Sequence, residues 1–123
     1  MSDEPNFSGI WRSAHTFYSQ SRKAEIESEH YVTLQLKGNK LVVQSLAGSK
    51  SYLLIRLSLD DLVATGSWET HTDKDGYYKG AVYYGAIQLI IDPGKQKMEG
   101  KWVGYGADMH VRDGHWEIAR IGH

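Results

Sequence analysis

The side chains with which this sequence could do acid–base chemistry are carboxylates and histidines, of which it has six. A general base must lie within hydrogen-bonding reach of a substrate proton, so the histidines that matter are those held inside the fold. His15 and His30 are the candidates, because each stands in a segment where apolar and polar residues alternate. If the protein is an enzyme, we expect an isomerase, cyclase or hydrolase that uses one of these histidines as its base.

Other catalytic and metal-binding patterns are missing from the sequence. It has no nucleophile elbow, no phosphate-binding loop and no cysteine. No His-x-His or His-Glu-x-x-His spacing indicates zinc. Residues 71–76 share acidic positions with a calcium-binding loop but lack the distal bidentate glutamate, so we interpret them as a turn. The sequence therefore predicts no metal site, no cofactor and, outside the enzyme alternative, no catalytic residue.

Aromatic rings interspersed with a few polar groups are typical of a small-molecule site. Residues two apart in a strand share a face, so Trp68 brings Thr70 with it. The face of Gln88 depends on whether its strand bulges at Gly80 or Gly85, because a bulge changes the register. The predicted ligand-binding residues are His15, His30, Trp68, Thr70, Tyr78, Tyr83, Gln88 and Trp102.

These residues must be positioned by strands, since turn signals divide the chain at regular intervals. Lys37–Lys40, Asp73–Gly76 and Asp92–Lys95 each combine glycine with Asn, Asp or Pro, which are the residues that tight turns require. Residues 20–27 are predicted as a loop, with a short helix as the alternative. The predicted strands are 7–18, 27–36, 40–46, 51–59, 62–72, 77–91, 96–105 and 108–121.

Short connections between consecutive strands force neighbours to pair in antiparallel fashion. The predicted fold is therefore all-β: a single antiparallel, eight-stranded, up-and-down barrel, with a two-sheet sandwich as the alternative because both show the same alternation. Residues 7–123 would form the barrel domain and residues 1–6 a flexible N-terminus. The interior of an eight-stranded barrel has room for side chains and one small ligand.

Each of the four tryptophans follows a glycine by two positions. A glycine leaves space for the large ring to lie over bare backbone, beside its own tryptophan or beside a neighbour on the next strand. We expect Trp11 and Trp116 to pack at the ends of the barrel. Trp68 and Trp102 fall on central strands, where they either pack or line a cavity.

Gly9-Ile10-Trp11 on the first strand, together with Arg120 on the last, resembles the signature of calycins, the lipocalins and their relatives. The resemblance implies that Trp11 packs under the basic side chain of Arg120 and closes one end of the barrel. The C-terminal helix of lipocalins has no counterpart in this sequence.

A longer set of segments is similar to an uncharacterised bacterial domain found C-terminal to helix-turn-helix modules in some actinobacterial regulators. The segments are Glu29–Val32, Gly66–Glu69, Gly76–Tyr83, Gln88-Leu89 and Met98–Gly104. The resemblance implies a sensor: the barrel would bind a signal and an attached module would respond. The chain has no helix-turn-helix segment of its own.

Composition limits the remaining partners. The 123 residues carry 14 Lys and Arg against 15 Asp and Glu, scattered along the chain, so direct nucleic-acid binding is not expected. No apolar run approaches the ~20 residues of a membrane span, and the absence of cysteine and of a signal peptide fits the cytoplasm. A homodimer is compatible with the sequence.

The favoured function is a ligand-binding barrel. An enzyme and a protein-interaction domain with a packed core are the alternatives.

Overall fold

The computed structural model describes residues 7–122, which form one closed sheet of eight antiparallel strands. Each strand pairs with its neighbours in chain order, and the last strand pairs back with the first, so the predicted up-and-down barrel is confirmed. The predicted flexible segment 1–6 and His123 lie outside the described residues. The strands are β1 (Ile10–Ser19), β2 (Ala24–Lys37), β3 (Lys40–Ser45), β4 (Tyr52–Asp60), β5 (Val63–His71), β6 (Val82–Ile91), β7 (Lys97–Tyr105) and β8 (Arg112–Gly122).

Two connections differ from the prediction. The chain reverses within 20–23, with Lys23 at a φ of 52°, and β2 begins at Ala24, so residues 20–27 form neither a long loop nor a helix. The reason is the period-two pattern of the residues after Lys23, which suits a strand. β6 begins at Val82 instead of residue 77, because Lys79 and Gly80 adopt φ values of 53° and 76° that a strand does not accommodate.

The end of the barrel at which β1 begins is closed by a solid core. Trp11 is fully buried, its Nε1 donates to the backbone oxygen of Phe7 at 3.1 Å, and the guanidinium of Arg120 lies 4.8 Å from its ring centroid. This is the arrangement that the calycin resemblance implies. The aliphatic core side chains with no more than 1% exposure are Val32, Leu41, Val43, Leu53, Ile55, Ala64, Leu89, Ile91, Met98 and Ile118.

Three of the tryptophans lie opposite glycines of the neighbouring strand. Trp68 pairs with Gly85, Trp102 with Gly114, and Trp116 with Gly100. A Cβ built on Gly85 would lie 2.7 Å from Nε1 of Trp68 and 1.9 Å from the backbone oxygen of Val103. Gly85 and Gly114 therefore make room for cross-strand rings, the second of the two roles expected, whereas a Cβ on Gly100 would first meet the backbone of Gln88 and Leu89.

Candidate functional site

The other half of the barrel is hollow. Four connections, β1–β2, β3–β4, β5–β6 and β7–β8, surround a cavity of about 650 Å³. Its wall is contributed by strands and connections from around the barrel, and its inner end meets the indole cluster at mid-barrel. A volume of this order is typical of small-molecule sites.

His15 lies at the inner end of the cavity among three indoles. Its ring is stacked on Trp116, with centroids 4.1 Å apart and planes 18° apart. Trp102 meets it edge-on at 5.8 Å, and Trp68 lies 6.1 Å away. Trp116 is fully buried, as expected, but it lies between the aliphatic core and the cavity instead of at an end of the barrel.

The indole N–H groups are all used within the protein. Nε1 of Trp68 donates to the Val103 oxygen at 3.2 Å, Nε1 of Trp102 to the Thr16 oxygen at 3.1 Å, and Nε1 of Trp116 to Oγ of Ser13 at 2.8 Å. Each bond fixes the orientation of its ring. Trp68 and Trp102, which line the cavity, therefore offer it apolar faces and edges without a free donor.

His15 and His30 are both 6% exposed and line the cavity from adjacent strands. Ser13 pairs with His30 and His15 with Ser28, so the two histidines are diagonal neighbours on the inner face. Burial lowers the pKa of His15 to about 3, with a smaller contribution from nearby His30. Burial also lowers the pKa of His30, against a smaller opposing effect of Glu29. Both imidazoles are therefore neutral at physiological pH.

The buried Nδ1 atom of each histidine is unsatisfied within residues 7–122. Nε2 of His30 is 2.9 Å from Oγ of Ser51, whereas the Nδ1 atoms of His30 and His15 are buried and have no hydrogen-bond partner among residues 7–122. Buried polar atoms of this kind are uncommon in folded proteins, since each loses its hydration without compensation. Both atoms belong to side chains that line the inner part of the cavity.

Two tyrosines and a threonine continue the wall toward the mouth. Tyr78 comes from the β5–β6 connection and packs against Phe17 at 5.9 Å, and its buried hydroxyl also lacks a partner in the described chain. Tyr83, on β6, covers Gly106, and its pKa is raised by burial and by nearby Tyr78. Thr70, on β5, is 5% exposed and lines the same cavity.

The charged residues at the rim are mostly neutralised by partners. Glu27 receives a 2.6 Å bond from Arg12, and Asp108 a 2.7 Å bond from Arg112, which lowers the pKa of Asp108 to about 2. Asp73 accepts from the backbone nitrogen of Asp75 at 3.0 Å. The lining thus contains no cationic side chain without an anionic partner in residues 7–122.

All of the predicted ligand-binding residues except Gln88 lie on this cavity. Gln88 is exposed on the outer face of β6, where its amide donates to Oγ of Thr65 at 3.1 Å. The pairing of β6 with β5 runs without a register shift past Gly85, so Ile87 and Leu89 point inward and Gln88 outward. Gln88 is thereby removed from the candidate site.

Sequence reasoning missed several wall residues. Phe17 shares the inward face of β1 with His15, so its spacing already contained the signal. Ser51, Asp108 and Arg112 belong to connections or strand ends, and nothing in their spacing predicts that they meet at the mouth.

Glu99, His115 and Glu117 form a separate group on the outer face of β7 and β8. One potential ligand atom from each lies within 4.8 Å of the others. Lys97 already pairs with Glu117 at 3.6 Å, and Glu99 with His115 at 3.5 Å. Sequence spacing could not indicate this group, because its members come from two strands.

Comparison of the chain with protein-family models, curated proteins and solved structures returned no match. The closed eight-stranded barrel is compatible with a calycin-like fold. The similarity to the bacterial regulator domain receives no support from these comparisons. No helix among residues 7–122 is long and apolar enough to cross a membrane.

Proposed function

We propose that the chain binds a small, partly apolar molecule in the hollow half of the barrel. The observation that carries this proposal is that three side chains lining an aromatic-walled cavity of about 650 Å³ each contain a buried polar atom without a partner among residues 7–122. The atoms are Nδ1 of His15, Nδ1 of His30 and the hydroxyl of Tyr78. A ligand that supplied hydrogen bonds to them would remove a desolvation penalty that the free protein bears.

The enzyme alternative has less support. A base whose conjugate acid has a pKa of about 3, as His15 has, removes protons poorly near neutral pH. No carboxylate in residues 7–122 hydrogen-bonds to the imidazole of either histidine, and the one partner, at His30, is the hydroxyl of Ser51. The packed-core alternative predicts a filled interior, which a cavity of about 650 Å³ does not favour.

A sensor role in the cytoplasm is part of the proposal and rests on the resemblance to regulator domains. The ligand would touch the β5–β6 and β7–β8 connections, which contribute Tyr78, Gly106 and Asp108 to the lining. A bound molecule could therefore change the outer surface of this rim, which a responding module would contact.

Native mass spectrometry of the purified protein tests the proposal, because a retained ligand reports its own mass. Two variants provide a matched comparison. Thr70→Phe places a ring in the cavity and should fill part of it, whereas the control Thr65→Phe places the same ring on the outer face of β5. We expect Thr70→Phe to lose the retained molecule and Thr65→Phe to keep it. Equal retention by both variants would place the ligand elsewhere.

A further inference from the structure

Among residues 7–122, no charged side chain contacts the imidazole of His15 at the inner end of the cavity. Arg112 is the one arginine or lysine among the described residues of the lining, and Asp108 binds it through Nη1 at 3.2 Å and Nη2 at 2.7 Å. A ligand anion seated beside His15 would therefore lose its hydration without meeting an uncompensated cation. Burying an unpaired charge in this way is strongly unfavourable.

A ligand cation is disfavoured by the same surroundings. The imidazole of His15 is enclosed by Trp68, Trp102 and Trp116, and no carboxylate of the described chain hydrogen-bonds to it. The burial that keeps this side chain unprotonated would act equally on an ammonium group placed next to it. Asp73 and Glu27, the lining carboxylates besides Asp108, belong to the β5–β6 connection and to the part of β2 near the mouth.

The inner end of the cavity nevertheless contains polar groups that lack hydrogen-bond partners. Nδ1 of His15 and Nδ1 of His30 are diagonal neighbours and have no partner within residues 7–122. The indole N–H groups that surround them are committed to Thr16, Val103 and Ser13. A group that satisfies the imidazoles must come from the ligand, and it meets aromatic faces on the other sides.

Resting on the proposed function, we infer that the ligand is an uncharged, ring-containing molecule that inserts a hydroxyl or amide group between His15 and His30. Neutral imidazole offers a donor or an acceptor according to its tautomer, and hydroxyls and amides provide both. The flat part of the molecule lies between the rings of Phe17, Tyr83 and the two lining tryptophans. Charged molecules of the same shape are rejected by desolvation.

Four naphthalene probes that differ only in one substituent test this inference: 2-naphthamide, 2-naphthoate, 2-naphthylmethylammonium and naphthalene. Binding is measured at pH 7.5 by quenching of tryptophan fluorescence and by calorimetry. We expect 2-naphthamide to bind at least about tenfold more tightly than either charged probe. Tighter binding of the carboxylate or the ammonium would overturn the inference while leaving the proposed function in place.

Variants locate the polar group. His15→Phe removes the Nδ1 atom, and should weaken 2-naphthamide binding about three- to tenfold while leaving naphthalene affinity unchanged. His30→Phe should also weaken 2-naphthamide binding, and it serves as the second variant if His15→Phe does not fold. His71→Phe, on the exposed end of β5, is the control and should change the affinity for neither probe. Equal effects of all three variants would also overturn the inference.

A panel in which no probe binds is also informative. If native mass spectrometry then finds a retained molecule, its accurate mass and composition show whether it carries an ionisable group, and a charged molecule contradicts the inference. If no molecule is retained and no probe binds, the proposed function itself fails.

Discussion

The imidazole of His15 is stacked on the indole of Trp116, with ring centroids 4.1 Å apart. β8 pairs with β1 to close the barrel, and in that pairing these two residues are direct partners. The contact therefore marks the level at which the solid aliphatic half of the barrel gives way to the hollow half. It also explains why His15 is neutral, since an indole face replaces water on one side of the imidazole.

The acid sensitivity of the fold should come largely from His15. Its pKa falls from 6.5 to about 3 on folding, so the unfolded chain binds the additional proton. The stabilisation is complete above pH 6.5 and is lost as the pH falls from 6.5 toward 3, by about 2 kcal/mol at pH 5. Urea unfolding of the parent and of His15→Phe between pH 8 and pH 5 measures this difference.

A ring added outside the cavity provides the control for that titration. Thr65→Phe, on the outer face of β5, removes no histidine and should keep the slope of the parent protein. Identical slopes for the parent and His15→Phe would mean that the imidazole is hydrated in solution and that the inner end of the cavity is wet.

Gly85→Ala should destabilise the barrel and open the gap between β6 and β7. The added Cβ would lie 1.9 Å from the Val103 oxygen and 2.7 Å from Nε1 of Trp68. Strands and ring must move apart, and we expect a loss of about 1–3 kcal/mol in the free energy of unfolding, together with a shift in tryptophan emission. Gly122→Ala, whose Cβ would meet nothing within 4 Å, should be close to neutral.

Arg120 should stabilise the closed end through its position over Trp11. Arg120→Met keeps an apolar stem and removes the charge, so we expect a loss of about 0.5–2 kcal/mol in thermal unfolding. Arg56→Met is the matched comparison, since Arg56 is exposed and its ion pair with Glu69 spans 3.7 Å. An equal effect of both substitutions would assign the loss to net charge and not to the cation–π contact.

Tyr78→Phe should separate stability from binding. Its buried hydroxyl has no partner among residues 7–122, so removing it should leave the free protein unchanged or more stable by up to about 1 kcal/mol. The contact of the ring with Phe17 is kept. Differential scanning calorimetry measures the first effect, and the fraction of protein that retains ligand in native mass spectra should fall.

Tyr84→Phe removes a hydroxyl from the outer face of β6 and should alter neither the stability of the free protein nor the fraction that retains ligand. A marked destabilisation by Tyr78→Phe would instead show that this hydroxyl is hydrogen-bonded in solution, and it would leave the two histidines as the polar groups of the site.

The barrel and most of its wall were predictable because alternation assigns faces locally. Once Trp11 points inward, His15 follows, and the same reasoning applies from Trp68 to Thr70. Gln88 was not predictable, because its face depended on whether a bulge occurred, and continuous pairing past Gly85 decided that it points outward. Tyr78 was placed in the wall correctly but on the wrong element, since the two positive φ values after it end the turn that precedes β6.

The order of strands and their antiparallel pairing follow from residue type and spacing, because both act over a few positions of chain. The register of the sheet decided which glycine lies opposite each central ring. Only the closed barrel decided that the interior is filled at one end and open at the other. That division depends on which side chains meet across eight strands, as when Ser51 meets His30 and Arg112 meets Asp108 at the mouth. Burial, which governs the protonation of His15, is likewise a property of the whole barrel and of no single segment.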